Sequence, residues 1–142
     1  MNKEFMKLAI LEAKKAAEKG EVPVGAVIVR NGEVIAACHN LREEKRNALS
    51  HAEMEAINLA CKKLGSWRLD DCEMYVTLEP CPMCTGAIIN ARIKTVIFGA
   101  YDSKMGCMDS VINLCDYPFN HKVEIYGGIM EDECTKLLTD FE

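Results

Sequence analysis

The apolar run from Glu73 to Leu78 is cut short by Pro80 and followed at once by Cys81-Pro82-Met83-Cys84. No other stretch limits the fold so tightly. Pro80 has no N–H for a strand ladder and ends the strand. Pro82 fits the first turn of a helix, where a missing N–H costs nothing. The segment therefore reads as a strand that turns sharply into a helix. Its two cysteines stand three residues apart at the helix start and share one face. A helix N-terminus favours the thiolate, the form that binds metal.

Upstream, His51-Ala52-Glu53 lies at a second helix start. His51, Cys81 and Cys84 are the ligand types of a zinc site, and three protein ligands leave a fourth position open, as in catalytic zinc. Two helix N-termini far apart in sequence must then point at one ion. In an ideal helix the step from His51 to Glu53 turns through about 200° and would separate the side chains. They converge only if the helix is just beginning there.

Two thiolates and a neutral imidazole leave Zn²⁺ with no net charge from its protein ligands, which weakens it as a Lewis acid. A carboxylate that takes the proton from bound water compensates, and Glu53 suits that task. A metal-bound hydroxide beside a proton carrier can attack an electron-poor ring carbon and protonate a leaving amine. That reaction is hydrolytic deamination. Two other readings stand beside it. A closed structural zinc site would take its fourth ligand from Cys72, Cys107, His39 or His121. A redox dithiol would use Cys81 and Cys84 at a helix start and leave His51 and Glu53 without a role.

The rest of the chain supplies a frame for the site. Met6, Ala9, Ile10, Ala13, Ala16 and Ala17 recur at helical steps, which predicts a helix over 2–19 that ends at Gly20. Asn31-Gly32 between Ala26–Arg30 and Glu33–Cys38 predicts a hairpin with a type I′ turn. Residues 39–50 read as a polar loop. Ser50 is positioned to cap the next helix, with Glu53 three residues on as in a capping box. That helix runs through Met54, Ile57, Cys61 and Leu64 to Gly65. Strand three covers 73–78, a helix runs from about Cys81 to Ala91, and strand four covers 95–99. A short helix is expected over 109–114, strand five over 123–126, and a last helix with Met130, Cys134, Leu137, Leu138 and Phe141 on one stripe.

A hairpin followed by alternating helices and strands implies an α/β fold with a five-stranded mixed sheet covered on both faces. The last three strands, joined by helical crossovers, should be parallel. Ligands in such sheets bind beyond the carboxyl ends of parallel strands. Cys81 and Cys84 follow the carboxyl end of strand three.

At 142 residues the chain is expected to form one domain with a real core. Its formal charge of −5 argues against a basic nucleic-acid coat or a polybasic membrane binder. There is no apolar run approaching the ~18 residues of a membrane span, and no secretory h-region. Eight cysteines are then expected to be free thiols in a reducing cytoplasm. The six outside the motif are expected to act mostly as small core hydrophobes.

His51-Ala-Glu53 with Pro80-Cys81-x-x-Cys84 resembles the H-x-E and P-C-x-x-C signature of zinc-dependent nucleobase deaminases. Gly20-Glu-Val-Pro-Val-Gly-Ala26, Gly65-Ser-Trp-Arg-Leu69, Thr77 to Cys84, Asp102-Ser-Lys104 and Phe119-Asn-His-Lys-Val-Glu124 are similar to segments of the bacterial transfer-RNA adenosine deaminases, in the same order and over nearly the whole chain. The resemblance implies a three-layer α/β/α cytidine-deaminase-like fold. It implies one zinc ion on His51, Cys81 and Cys84, with Glu53 as proton shuttle. It also implies conversion of the wobble adenosine of a tRNA anticodon loop to inosine by a cytoplasmic homodimer. Asn40 is then expected to contact the flipped nucleoside, with Val24 on the pocket wall and Asp102 and Lys104 near the anticodon backbone. His121 reads as a structural histidine. Tyr101 stands where some members carry a basic residue, and no longer basic helix follows Phe141-Glu142. Together with the acidic charge, these departures predict weak nonspecific phosphate attraction. The runner-up function is deamination of a free base or nucleoside of guanine or cytosine type. A binding module built on structural zinc is the third.

Overall fold

A computed structural model describes residues 1–142. The chain runs α1 (Lys3–Glu18), β1 (Gly25–Arg30), β2 (Glu33–His39), α2 (Arg42–Lys45), α3 (Ala52–Leu64), β3 (Cys72–Leu78), α4 (Pro82–Ala91), β4 (Thr95–Ala100), β5 (Glu124–Tyr126) and α5 (Glu131–Phe141), with a 3₁₀ turn at Leu114–Asp116 before β5. The sheet order is β2-β1-β3-β4-β5. β1 is antiparallel to both β2 and β3, whereas β3, β4 and β5 are parallel.

Period-two alternation along the strands explains the three layers. On one face Ala26, Ile28, Met74, Val76, Val96 and Phe98 pack with α3 and α4. On the other, Val27, Val29, Tyr75 and Ile97 pack with Met6, Ala9 and Ile10 of α1 and Cys134 of α5. Both faces of the central strands are buried, so these strands read as continuous apolar runs. A fully buried Ile or Phe contributes about 1.5–3 kcal/mol. Exposed pairs such as Arg68–Asp70 and Lys136–Asp140 are screened by solvent and add little. Burial against the sheet, not surface charge pairing, holds the layers together.

Asn31 (φ 50°) and Gly32 (φ 78°) make the tight turn, as their sequence requires. The hairpin register shifts between Ile28 and Val29, where Ile35 is the extra residue of a bulge. Gly25 lets α1 lie directly on β1, since a Cβ there would run into the Ala9 carbonyl and the Ala13 amide. The Gly25 N–H donates to Thr77 Oγ1 (3.1 Å), joining the start of β1 to the end of β3 beside the site.

Three local expectations are corrected. Residues 109–114 form no helix; a bridge between Met108 and Asn113 and the 3₁₀ turn at 114–116 take their place. The amides of Met108, Asp109 and Ser110 donate to the side chain of Glu79 and not along a helix. The polar 39–50 stretch contains one helical turn, α2, closed by Arg46 in the left-handed region. The N-cap of α3 is His51, not Ser50, and no side chain caps it.

Glu12 of α1 accepts from His39 Nδ1 (2.8 Å) and Lys15 Nζ (2.8 Å), tying α1 to β2. Burial works to raise this carboxyl, but the hydrogen bonds from His39 and Lys15 outweigh it and hold it below its usual value. A depressed carboxylate stabilises the fold above its unfolded value, about 4.3, and that contribution is lost as pH falls through the lower folded value. Glu12→Gln is therefore expected to lower the urea midpoint at pH 7, and the gap to wild type should narrow in acid, as pH falls below the ordinary carboxylate value of about 4.3. Paired denaturation curves at the two pH values check this.

Candidate metal centre and adjoining cavity

His51 occupies the N-cap of α3 with extended backbone (φ −69°, ψ 156°), and the helix begins at Ala52. Its side chain and that of Glu53 are thereby spared the half-turn separation of a regular helix. Cys81 is likewise the N-cap of α4 (φ −76°, ψ 177°), with Pro82 at its first position. Cys84, three residues on, is fully buried. The two helix starts meet. His51 Nδ1 lies 3.7 Å from Cys81 Sγ and 3.5 Å from Cys84 Sγ. All three donor atoms lie within 4.8 Å of one another.

Those spacings test whether the residues suit zinc. With Zn–N near 2.0–2.1 Å and Zn–S near 2.3 Å, the nitrogen-to-sulfur edge of a tetrahedron is about 3.5–3.6 Å. The observed edges match it to within about 0.2 Å. The group has three members. Cys72, Cys107, His39 and His121 do not join it, and His121 instead donates through Nε2 to the Ile93 carbonyl (2.7 Å). A closed four-ligand site lacks its fourth protein ligand here.

The electrostatics favour one thiolate in the cysteine pair. The Cys81 thiol is lowered to about 4, first by the hydrogen bond from the Cys84 thiol and then, against the cost of burial, by His51. Cys84 is pushed upward by its bond to that thiolate and by burial, so it keeps the proton the pair shares. His51 is raised by its hydrogen bond to Cys81. Glu53 is 4% exposed, and burial pushes its carboxyl up to about 7. It is thus a carboxyl that can hold or release a proton near neutrality, next to the cysteine pair.

A cavity of about 320 Å³ opens onto His51, Glu53 and Cys81. That lies within the usual size of a small-ligand pocket. Larger hollows lie elsewhere, one of about 520 Å³ at the opposite end of the sheet around Glu73, Lys94 and Glu124, but they carry none of the donor set. Val24, Asn40 and Asp102 line the metal-side cavity. Lys104 is exposed on the same loop and does not line it; its N–H donates to Asp102 Oδ1 (3.1 Å). Asn40 is buried, donates to the Val22 carbonyl (3.3 Å) and accepts from the Arg42 N–H (3.2 Å).

Arg42, Leu78, Glu79 and Met105 also line the cavity and were not legible as site residues. Arg42 follows Asn40 by two positions, the spacing of an Asx turn, and that was the available signal. Glu79 lies inside the motif itself, but its significance depends on a loop that reaches it from residues 102–110.

The family model of the MafB19-like deaminases matches residues 1–137. The tRNA-specific adenosine deaminase of Bacillus subtilis (strain 168) is 54% identical, over 96% of this chain and 86% of its own. A solved structure from work on A-to-I editing by tRNA:A34 deaminases at the wobble position is 42% identical with a TM-score of 0.94, covering 96% of this chain and all of that one. A guanine deaminase of Bacillus subtilis is 34% identical with a TM-score of 0.69, over 84% of this chain and 88% of its own.

Proposed function

The chain belongs to the deaminase family that includes the tRNA-specific adenosine deaminases, and from that premise we propose that it converts the wobble adenosine of a tRNA anticodon to inosine. It is an enzyme of the tRNA adenosine(34) deaminase type. The observation that carries the reading is the three-donor group beside a buried glutamate, with His51, Cys81 and Glu53 lining a cavity of about 320 Å³.

His51, Cys81 and Cys84 would hold one zinc ion. When bound, zinc supplies the Lewis acidity that makes water nucleophilic near neutral pH. The remaining work falls to the chain's own residues. Glu53 accepts a proton from the attacking water and delivers it to the exocyclic nitrogen of adenine. A C–O bond forms at C6, the C–N bond breaks, and ammonia leaves. The buried setting of Glu53 keeps bulk water from competing for that proton. Val24 and Leu78 offer apolar wall to a flipped base, and Asn40 offers a polar group beside it. Asp102 and Lys104 lie on the loop that would meet the anticodon backbone, and exposed Arg42 is the cation that lines the cavity itself.

No helix is long and apolar enough to cross a membrane. We assign the chain as one deaminase domain, residues 1–142, that works as a homodimer in the cytoplasm, where tRNA is its partner. Incubation with an anticodon stem-loop and, separately, with free adenine, guanine, cytosine and their nucleosides tests the substrate. Inosine at the wobble position of the stem-loop alone is expected. Turnover of free guanine or cytosine without turnover of the stem-loop would overturn the tRNA reading.

A further inference from the structure

Glu79 stands between the end of β3 and the helix that carries the two cysteines, and its side chain is 2% exposed. A buried carboxylate without partners would be costly. Here it is surrounded by donors, all from one loop. Oε1 accepts the Asp102 N–H (3.0 Å) and the Ser110 hydroxyl. Oε2 accepts the N–H groups of Met108 (3.1 Å), Asp109 (2.8 Å) and Ser110 (2.9 Å). The loop also closes on it sterically. Gly106 lies so near that a Cβ there would overlap the Glu79 carboxyl. Residues 102–110 contain no regular element, so this carboxylate replaces the ladder that would otherwise order them.

That loop carries Asp102 and Met105 of the cavity wall, and Lys104 between them. Its own short-range order depends on the same anchor. Asp102 Oδ1 accepts the N–H groups of Lys104 and Met105 (both 3.1 Å), a turn whose first residue is fixed through its own amide to Glu79. We infer that Glu79 is a positioning residue for substrate: its carboxylate holds the 102–110 wall in binding shape from the floor of the site, while taking no part in the proton transfers. This rests on the tRNA reading for the identity of the substrate but not for the anchoring itself. Glutamine has the shape of glutamate and cannot fill the place. Its NH₂ would face N–H donors on whichever side it took.

Glu79→Gln is the test, with Ser110→Ala as a milder variant that removes one donor should the first fail to fold. Zinc content per chain is expected to match wild type. KM for the anticodon stem-loop is expected to rise by about tenfold or more, with kcat changed by less than about threefold. Ser110→Ala should move KM the same way by less. Hydrogen exchange on the free protein supplies a readout independent of activity. The amides of Met108, Asp109 and Ser110 should exchange about tenfold faster in Glu79→Gln, with those of β3 and α4 unchanged. An unchanged KM, or unchanged exchange at the three amides, would overturn the inference. So would a loss confined to kcat or accompanied by loss of zinc. Wild-type protein inactive on the stem-loop would sink the substrate reading alone, and the exchange result would still decide whether Glu79 orders the wall.

Discussion

Glu53→Gln is expected to lose turnover by about 10²–10⁴-fold, or roughly 3–5 kcal/mol of transition-state stabilisation, while binding zinc as wild type does. The amide has the volume of the carboxylate and leaves the packing at the start of α3 intact. It cannot take a proton from water or return one to the leaving amine. Glu53 is not part of the three-donor group, so removing its charge does not remove a ligand. The effect should appear in kcat and kcat/KM together, because the lost interaction belongs to the transition state. Metal analysis and single-turnover rates on a stem-loop make the measurement. Full activity in this variant would end the role assigned to Glu53. Activity lost together with zinc would make it a metal-site residue instead.

The second large effect concerns the metal. Cys84→Ala removes a fully buried donor from a group of three. Zinc content is expected to fall from one per chain to near zero, and activity to fall below detection. Chelation of wild-type protein should abolish activity, and added zinc should restore it; the variant should not respond. A metal that binds only the folded chain would also stabilise it. At free zinc about 1,000 times its Kd the gain is about 4 kcal/mol, a Tm shift on the order of 10 °C for a chain of this size. Wild type should therefore lose that much on chelation, and Cys84→Ala should lose nothing further. A variant that kept both zinc and activity would remove Cys84 from the ligand set.

Between them the two substitutions separate three functions that one motif can serve. A redox dithiol would fail in Cys84→Ala but work normally in Glu53→Gln. A structural zinc module would lose its fold in the first and nothing in the second. Hydrolytic deamination requires both, with zinc retained only in the second.

Legibility in the sequence followed the range of the interactions. The type I′ hairpin was readable because Asn31-Gly32 alone accounts for it; positive φ is a property of those two residues. Strand β3 and helix α4 were readable because Pro80 and Pro82 act on their immediate neighbours. Coverage of both sheet faces was readable from the order of elements, a hairpin and then alternating helices and strands, and the three-layer arrangement was implied by the resemblance. The metal donors were readable as residue types. Their convergence needed a condition that the sequence could pose but not meet: α3 had to begin after His51, and it begins at Ala52.

The expected helix over 109–114 failed for a reason that no local pattern contains. The Leu114 N–H, which would close that helix on the Ser110 carbonyl, donates instead to the Cys107 carbonyl (3.0 Å), and Cys107 is itself tied to the distant Pro80 carbonyl (2.9 Å) while Glu79 holds the Met108 to Ser110 amides. Glu12 and His39 show the same logic on the other side of the sheet, where two ordinary surface-type residues become a buried link only because α1 lies across β2. The sequence by itself determined most of the elements and the donor types, since each is set by residues within one helical turn or one strand of each other. Tertiary structure alone decided which carboxylate holds the cavity wall and which loop supplies that wall. Those choices rest on contacts between segments tens of residues apart, and their strength comes from a burial that exists only once the sheet is assembled.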